Sequence, residues 1–341
     1  MTAEAFRTKR RQKFLTEDYF DLNTAYLLHS NEVDTRGTFN LRARGDLDPV
    51  GQGGIFGNEL DLLKLQYTAG YAIEELRPLY VDVVTALGAW NDAYRVYIKS
   101  LDETGEELRD DGTPLYFEDL VYFQRLMEVV SVGVLLGEGD ALRRIATYLA
   151  RYRGTDLLFE FLISPAVPDA RDNTDFFHAR PYDPLIDAFY TAETPEQSIA
   201  FVKTYLEGWY KSFEGTPWHN GHLKGTTEYM PYYGYWSFEA AAVCVIHGID
   251  DKSFRDHLVY PKDLADWARS HDCLAQLRLD AAPQGDAAQR LRCEGGRPCP
   301  RQGWWSTPAQ PASRRKFQLG EMMPSFTSDF GATIWQWDET Q

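Results

Sequence analysis

The sequence predicts an all-α body, a two-part helical bundle, carrying a small β-rich appendage at its C-terminal end. Three observations lead there. Apolar residues recur three and four positions apart through most of the first 273 residues, strand-like alternation is scarce, and from about residue 274 the composition turns to Gly, Pro and Trp. At 341 residues, 44% hydrophobic and 14% aromatic, the chain has enough buryable surface for a large core.

The N-terminus, "MTAEAFRTKRRQKF", is basic but has no apolar stretch behind it, and no run approaches membrane-spanning length. A cytoplasmic protein is expected. The first helical region includes "GNELDLLKLQYTAGYAIEELRPLYVDVVTALGAWNDAYRVYIKSL", where Leu60, Leu63, Tyr67 and Tyr71 keep helical spacing before Pro78, which is expected to kink or divide it. A turn or hairpin tip, "DETGEELRDDGT", sets six acids (Asp102, Glu103, Glu106, Glu107, Asp110 and Asp111) against Arg109. Two more helices follow to residue 154, divided at "GEGD", with Gly137 and Gly139 suited to a C-cap and Asp140 to an N-cap.

A segment rich in Pro and Asp, "SPAVPDARDNTDFFHARPYDPL", then places a domain boundary near residues 155 to 180, giving segments 1–154, 155–273 and 274–341. Helix resumes at "TPEQSIAF", with Thr194 as N-cap, Pro195 as first helical residue and Gln197 completing a capping box. Beyond a polar loop, Tyr232 to His247 is apolar on nearly every face and predicts a central helix ending at Gly248, with Ile249 packing behind it. Further helix starts are expected near Asp251 or Ser253 and at "YPKDLADWARS", where Pro261 suits the first turn. The tail, ending in a strand-like "GATIWQWD", is read as docking its aromatic residues on the helical body.

Candidate chemistry is sparse. Glu239, alone in an apolar segment, is expected to be held by neighbouring tyrosines or an arginine; as a raised-pKa acid it would need an opposed carboxylate that nothing in the sequence marks. His219, His222 and His178 sit in loops without metal-site spacing, so no metal and no cofactor is expected. Cys244 reads as core packing, and Cys293 and Cys299, with five residues between them, as neighbours without a bond or zinc, with Cys273 upstream. No phosphate loop, dinucleotide fingerprint or nucleophile elbow occurs.

Charge is more informative. The net −16 is uneven: residues 1–13 hold five basic residues and one acid, residues 274–341 hold eight and seven, leaving 22 basic against 43 acidic in residues 14–273. Such a surface repels phosphate backbones and attracts basic proteins. Two candidate interface pieces stand out: the acids at 102–111 together with Asp169, Asp172 and Asp175, and an aromatic loop with Trp218, Tyr229 and Tyr232.

The stretch "YYGYWSFEAAAVCVIHGIDDKSFRDHLVYPKDLADWAR" resembles the C-terminal signature of PoNi-type immunity proteins, through Gly234, Trp236, Glu239, Gly248, Asp250, Tyr260, Pro261 and Asp263. The N-terminal region from "RQKFLTEDYFD" is more weakly similar, and the Trp-rich tail departs from the simplest members. The resemblance implies an all-helical cytoplasmic protein of polymorphic and type VI secretion loci that inhibits a cognate nuclease toxin, a DNase, by occluding its basic cleft. It carries no active site, no direct nucleic-acid contact and no membrane contact; a homodimer is compatible with it. The competing classes are an all-α carbohydrate-active enzyme, which demands a deep aromatic cleft with two opposed carboxylates, and a helical adaptor or chaperone of a secretion system.

Overall fold

Helix boundaries follow local capping chemistry. The protein is seen in a computed structural model, which describes residues 3–36, 48–102, 114–171, 173–226, 229–281, 292–307, 313–326 and 333–337. Twelve α-helices are among these residues: α1 (Ala3–Lys9), α2 (Glu17–Arg36), α3 (Pro49–Ala69), α4 (Ile73–Asp102), α5 (Leu120–Leu136), α6 (Gly139–Tyr148), α7 (Leu157–Ile163), α8 (Ala179–Tyr190), α9 (Pro195–Ser212), α10 (Phe238–His247), α11 (Lys262–Ser270) and α12 (Cys273–Ala281). The Asp48 carboxylate accepts from the Val50 amide to start α3, with Pro49 behind it. Asp119 starts α5 by accepting from the Val121 and Tyr122 amides. Thr194 and Gln197 form the expected capping box on α9. Among the described residues no helix is long and apolar enough to cross a membrane.

The chain divides into two compact units, residues 1–281 and 282–341. In the first, α5 is the hub, buried along nearly its whole length and packed against α10, α11, α7, α6 and α12. Helices from both sides of residue 155 thus share one core. Antiparallel pairs, α3 with α4 and α8 with α9, flank it.

Several expected boundaries differ. Pro78 lies inside a continuous α4; the break falls instead at Gly70, where φ is +89° and a Cβ would stand 2.0 Å from the Lys9 carbonyl oxygen. Asp140 is within the first turn of α6, paired with Arg143, and Glu138 holds the N-cap position without a side-chain capping bond, its carboxylate accepting instead from Arg77. No α-helix starts near Asp251; the segment folds as successive turns, with the Phe254 and Arg255 amides donating to the Asp251 carbonyl. Only Phe238–His247 of the predicted central helix is helical; the Tyr232–Ser237 stretch before it forms no helix. Gly234 has φ +119° there, and any Cβ would meet Thr68 Oγ1 at 2.2 Å. The helical part is buried on all sides from Phe238 to Val245, and Gly248 ends it with φ +77°. The acidic tip residues Glu103, Glu106, Glu107, Asp110 and Asp111, and also Asp172, lie outside the described residues.

The second unit is a four-stranded antiparallel sheet, β1 (Arg292–Glu294), β2 (Gly303–Ser306), β3 (Arg315–Phe317) and β4 (Ile334–Trp337), ordered β1-β4-β2-β3. It has its own core of Trp305, Trp335, Phe317, Met323, Cys293 and Cys299. Those cysteines are buried and free, as are Cys244 and Cys273. Burial pushes the Cys244 thiol up to about 12, fitting a packing role.

Candidate partner-binding face

The stretch from Tyr232 to Trp236 is non-helical, so its backbone groups need partners from elsewhere in the chain. Three polar side chains of the N-terminal region supply them: Gln12 between α1 and α2, Asn23 of α2 and Thr68 of α3. Gln12 donates to the Tyr235 and Leu258 carbonyls at 2.6 and 2.9 Å and accepts from the Tyr232 hydroxyl at 2.5 Å and the Tyr235 amide at 2.9 Å. Asn23 donates to the Tyr232 carbonyl at 3.3 Å and accepts from the Met230 amide just before the stretch, and Thr68 donates to the Tyr233 carbonyl while accepting from Trp236 Nε1 at 2.8 Å. Arg11 donates to Asp263 at 2.6 Å and to the Tyr67 and Tyr71 carbonyls. The signature is therefore the seam that joins residues 232–263 to the N-terminal helices.

Glu239 is 1% exposed. Its Oε1 accepts from Tyr205 Oη at 2.6 Å, Trp209 Nε1 at 2.9 Å and Ser237 Oγ at 2.9 Å, so its partners are a tyrosine, an indole and a hydroxyl, with no arginine. Burial pushes its pKa up, against the lowering by these donors. The neighbouring Glu128, 2% exposed, has both oxygens 3.0 Å from Lys64 Nζ. Burial raises its pKa too, with Lys64 opposing and the Glu239 charge adding to the rise. Glu128 also accepts from Gln124, which accepts from Trp218 Nε1 at 2.8 Å; Trp218 stacks on Trp209, closing the network back onto Glu239. Each buried carboxylate is occupied by donors.

Other signature residues divide by role. Tyr260 is buried and donates to Asp251, which also accepts from Arg255 and Arg269 at 3.2 and 2.6 Å. Asp251, 3% exposed, is thus the structural acid of "GIDD". Asp250 is exposed and caps the turn through the Lys252 amide, a bond that lowers its pKa. Pro261 holds the N-cap position of α11. The histidines also have structural partners: His222 Nδ1 lies 2.6 Å from Tyr235 Oη, His178 Nε2 2.6 Å from the Phe117 carbonyl, and His219 sits against Tyr210.

Of the candidate interface residues, Trp218 and Tyr229 line one cavity of about 120 Å³ with Asp61, Gln124, Arg125 and Tyr233, beside the Lys64–Glu128 pair. Tyr229 extends the aromatic surface to Tyr26 of α2, 45% exposed, at a ring separation of 4.6 Å. Tyr232 also lines this cavity but is 1% exposed, with its hydroxyl donating to Gln12. The 169–175 loop lies apart from this cavity. Arg153 clamps it, donating to the Asp169 carbonyl and carboxylate, while Glu160 accepts from Arg153, Gly154 and Arg171. Asp169 and Asp175 are exposed, and the Asp175 carbonyl accepts from the Leu157 amide at the start of α7. Asp102 is the last residue of α4.

The buried carboxylates of this helical body are engaged, whereas Tyr80 Oη, the Asn91 amide, Ser131 Oγ, Tyr182 Oη and Trp267 Nε1 are buried without a hydrogen-bond partner among the described residues. Residues 154–264 match the family described as PoNe immunity proteins (PoNi), C-terminal, so that segment is similar to PoNi immunity proteins. The crystal structure of protein PA2201 from Pseudomonas aeruginosa, 22% identical, aligns over 79% of this chain and 95% of that one with a TM-score of 0.61, which shows a shared fold. Among curated proteins nothing matches the sequence.

Proposed function

We propose that the protein is a cytoplasmic immunity protein that binds a cognate PoNe nuclease toxin, a DNase, and neutralises it by covering the basic cleft that would otherwise hold DNA. The observation that carries this reading is the pairing of the PoNi match over residues 154–264 with a strongly acidic body. Nuclease clefts are basic because they receive phosphates, and carboxylates arrayed on an inhibitor can occupy the same space. Long-range attraction also speeds the encounter, as protection against a toxin active in the same compartment requires. The binding surface consists of the acids at 102–111 and the partly exposed aromatic residues Trp218 and Tyr229, with the Asp169–Asp175 loop as a second acidic contribution. The protein touches the toxin and neither nucleic acid nor membrane.

Co-expression with the toxin encoded beside its gene tests this. Cells survive, and the two proteins copurify. Reversing charge at Glu103, Glu106, Glu107, Asp110 and Asp111 weakens association and flattens its salt dependence. Survival without a detectable complex would rule out occlusion.

A further inference from the structure

Beside the Trp218–Tyr229 cavity, and sharing Val121 and Arg125 with it, runs an open groove of about 600 Å³ between the start of α3, the second half of α4 and the start of α5. Its walls are Val50, Trp90, Tyr94, Tyr97, Tyr116 and Tyr122. The rings are held in place from behind: Trp90 stacks on Phe56 at 5.5 Å, and Tyr94 and Tyr116 share a hydroxyl hydrogen bond of 2.9 Å. Val50 is 58% exposed and Tyr122 37%, so a rigid apolar surface faces outward.

We infer that this groove is the specificity pocket for a segment of the toxin bearing Lys or Arg side chains, an inference that rests on the proposed function. Aromatic faces attract cations, and the methylene stems of Lys and Arg lie well on apolar rings. Arg151 already lies 5.4 Å from the Tyr116 ring centroid, an intramolecular instance of that contact. Two exposed acids, Glu118 and Asp119, sit in the chain between Tyr116 and Tyr122. Among the described lining residues the one cation, Arg125, is 3.8 Å from Asp61. Residues 1–281 carry 45 acidic against 28 basic side chains, so a basic segment is drawn to the groove, where an acidic one is repelled. Rigid aromatic anchors cost little entropy on binding, which suits them to discriminate between related toxins.

The test uses the full-length protein and a catalytically inactive form of the neighbouring toxin, with affinity measured by calorimetry. The double variant Val50→Lys, Tyr122→Lys should bind about 30-fold more weakly, while Tyr122→Phe, which keeps the ring, should bind within about threefold of wild type. A photo-crosslinking benzoylphenylalanine at position 122 should label a toxin segment containing at least two Lys or Arg residues. Unchanged binding of the double variant overturns the groove and leaves the toxin reading standing. Labelling of a segment without Lys or Arg, of residues 37–47 of this chain, or of a second copy also overturns it. No binding by wild type removes both.

Discussion

Replacing Glu239 by Leu keeps the side-chain volume and removes the acceptor of three buried donors. The Trp209 indole N–H has a fixed direction and no alternative partner, whereas the Tyr205 and Ser237 hydroxyls can turn toward each other. A buried donor left unpaired costs about 1–3 kcal/mol, so the variant, which strands the Trp209 indole N–H, should lose about 1–3 kcal/mol. That is a sizeable fraction of the roughly 5–15 kcal/mol that stabilises a typical domain. Glu239→Gln retains an acceptor oxygen and should lose only about 1 kcal/mol. Urea unfolding followed by tryptophan fluorescence measures both, with an unchanged m-value showing that the same surface is exposed.

The pH dependence gives an independent check. Burial holds the Glu239 pKa above its ordinary value of 4.5. A raised carboxyl takes up its proton more readily in the fold than in the unfolded chain. Its contribution to stability is therefore fully present below the unfolded value and is lost as pH rises through the folded one. The stability of wild type minus that of Glu239→Gln should accordingly fall as pH is raised above the ordinary value of 4.5. A Leu variant within about 1 kcal/mol of wild type would refute the anchoring role, and a difference that grows with pH would show that the donors outweigh burial.

Two further outcomes follow from the same seam. Lys64→Met leaves Glu128 buried without its partner and should cost about 3–5 kcal/mol, whereas Lys64→Met with Glu128→Leu should recover most of that loss in thermal unfolding. Gln12→Ala orphans the Tyr232 hydroxyl and the Tyr235 amide, which should cost about 2–4 kcal/mol and show as lost hydrogen-exchange protection at Tyr235; full protection there would exclude Gln12 as the link.

The helices were legible wherever a stripe and a cap coincide, as at Thr194–Gln197 and Gly248. The non-helical stretch Tyr232–Ser237 was not, because an apolar run has no period that separates helix from other buried structure. Its local signal was Gly234, whose positive φ only glycine accepts without strain. Gln12, Asn23 and Thr68 gave no signal, since their partners lie 165 to 223 residues away and only the fold brings them together. Glu239 was readable as an anchor, but Trp209 and Tyr205 were not identifiable as its donors. In "GIDD" the resemblance runs through Asp250, while burial marks the adjacent Asp251 as the acid that meets Arg269; two neighbouring aspartates in a turn look alike in sequence. The aromatic groove draws on α3, α4, α5 and the residues before α5, so no single window of sequence displays it.

The interior acids bear on where the remaining charge acts. Glu128, Glu160 and Asp251 are each paired with Lys or Arg, and Glu239 and Asp156 are held by hydrogen-bond donors. With these carboxylates engaged inside, the surplus of acid lies largely on the outside, where it sets a field over distances of about 8–10 Å at ordinary salt. Such a field recruits a basic partner quickly but distinguishes poorly between basic partners, because exposed charges are screened and adaptable. Discrimination then needs fixed shape, which rigid rings provide and solvated carboxylates do not. On the proposed function the two surface features divide the work: the acids set the association rate, and the aromatic groove, by holding the segment that fits it, sets how long the complex lasts.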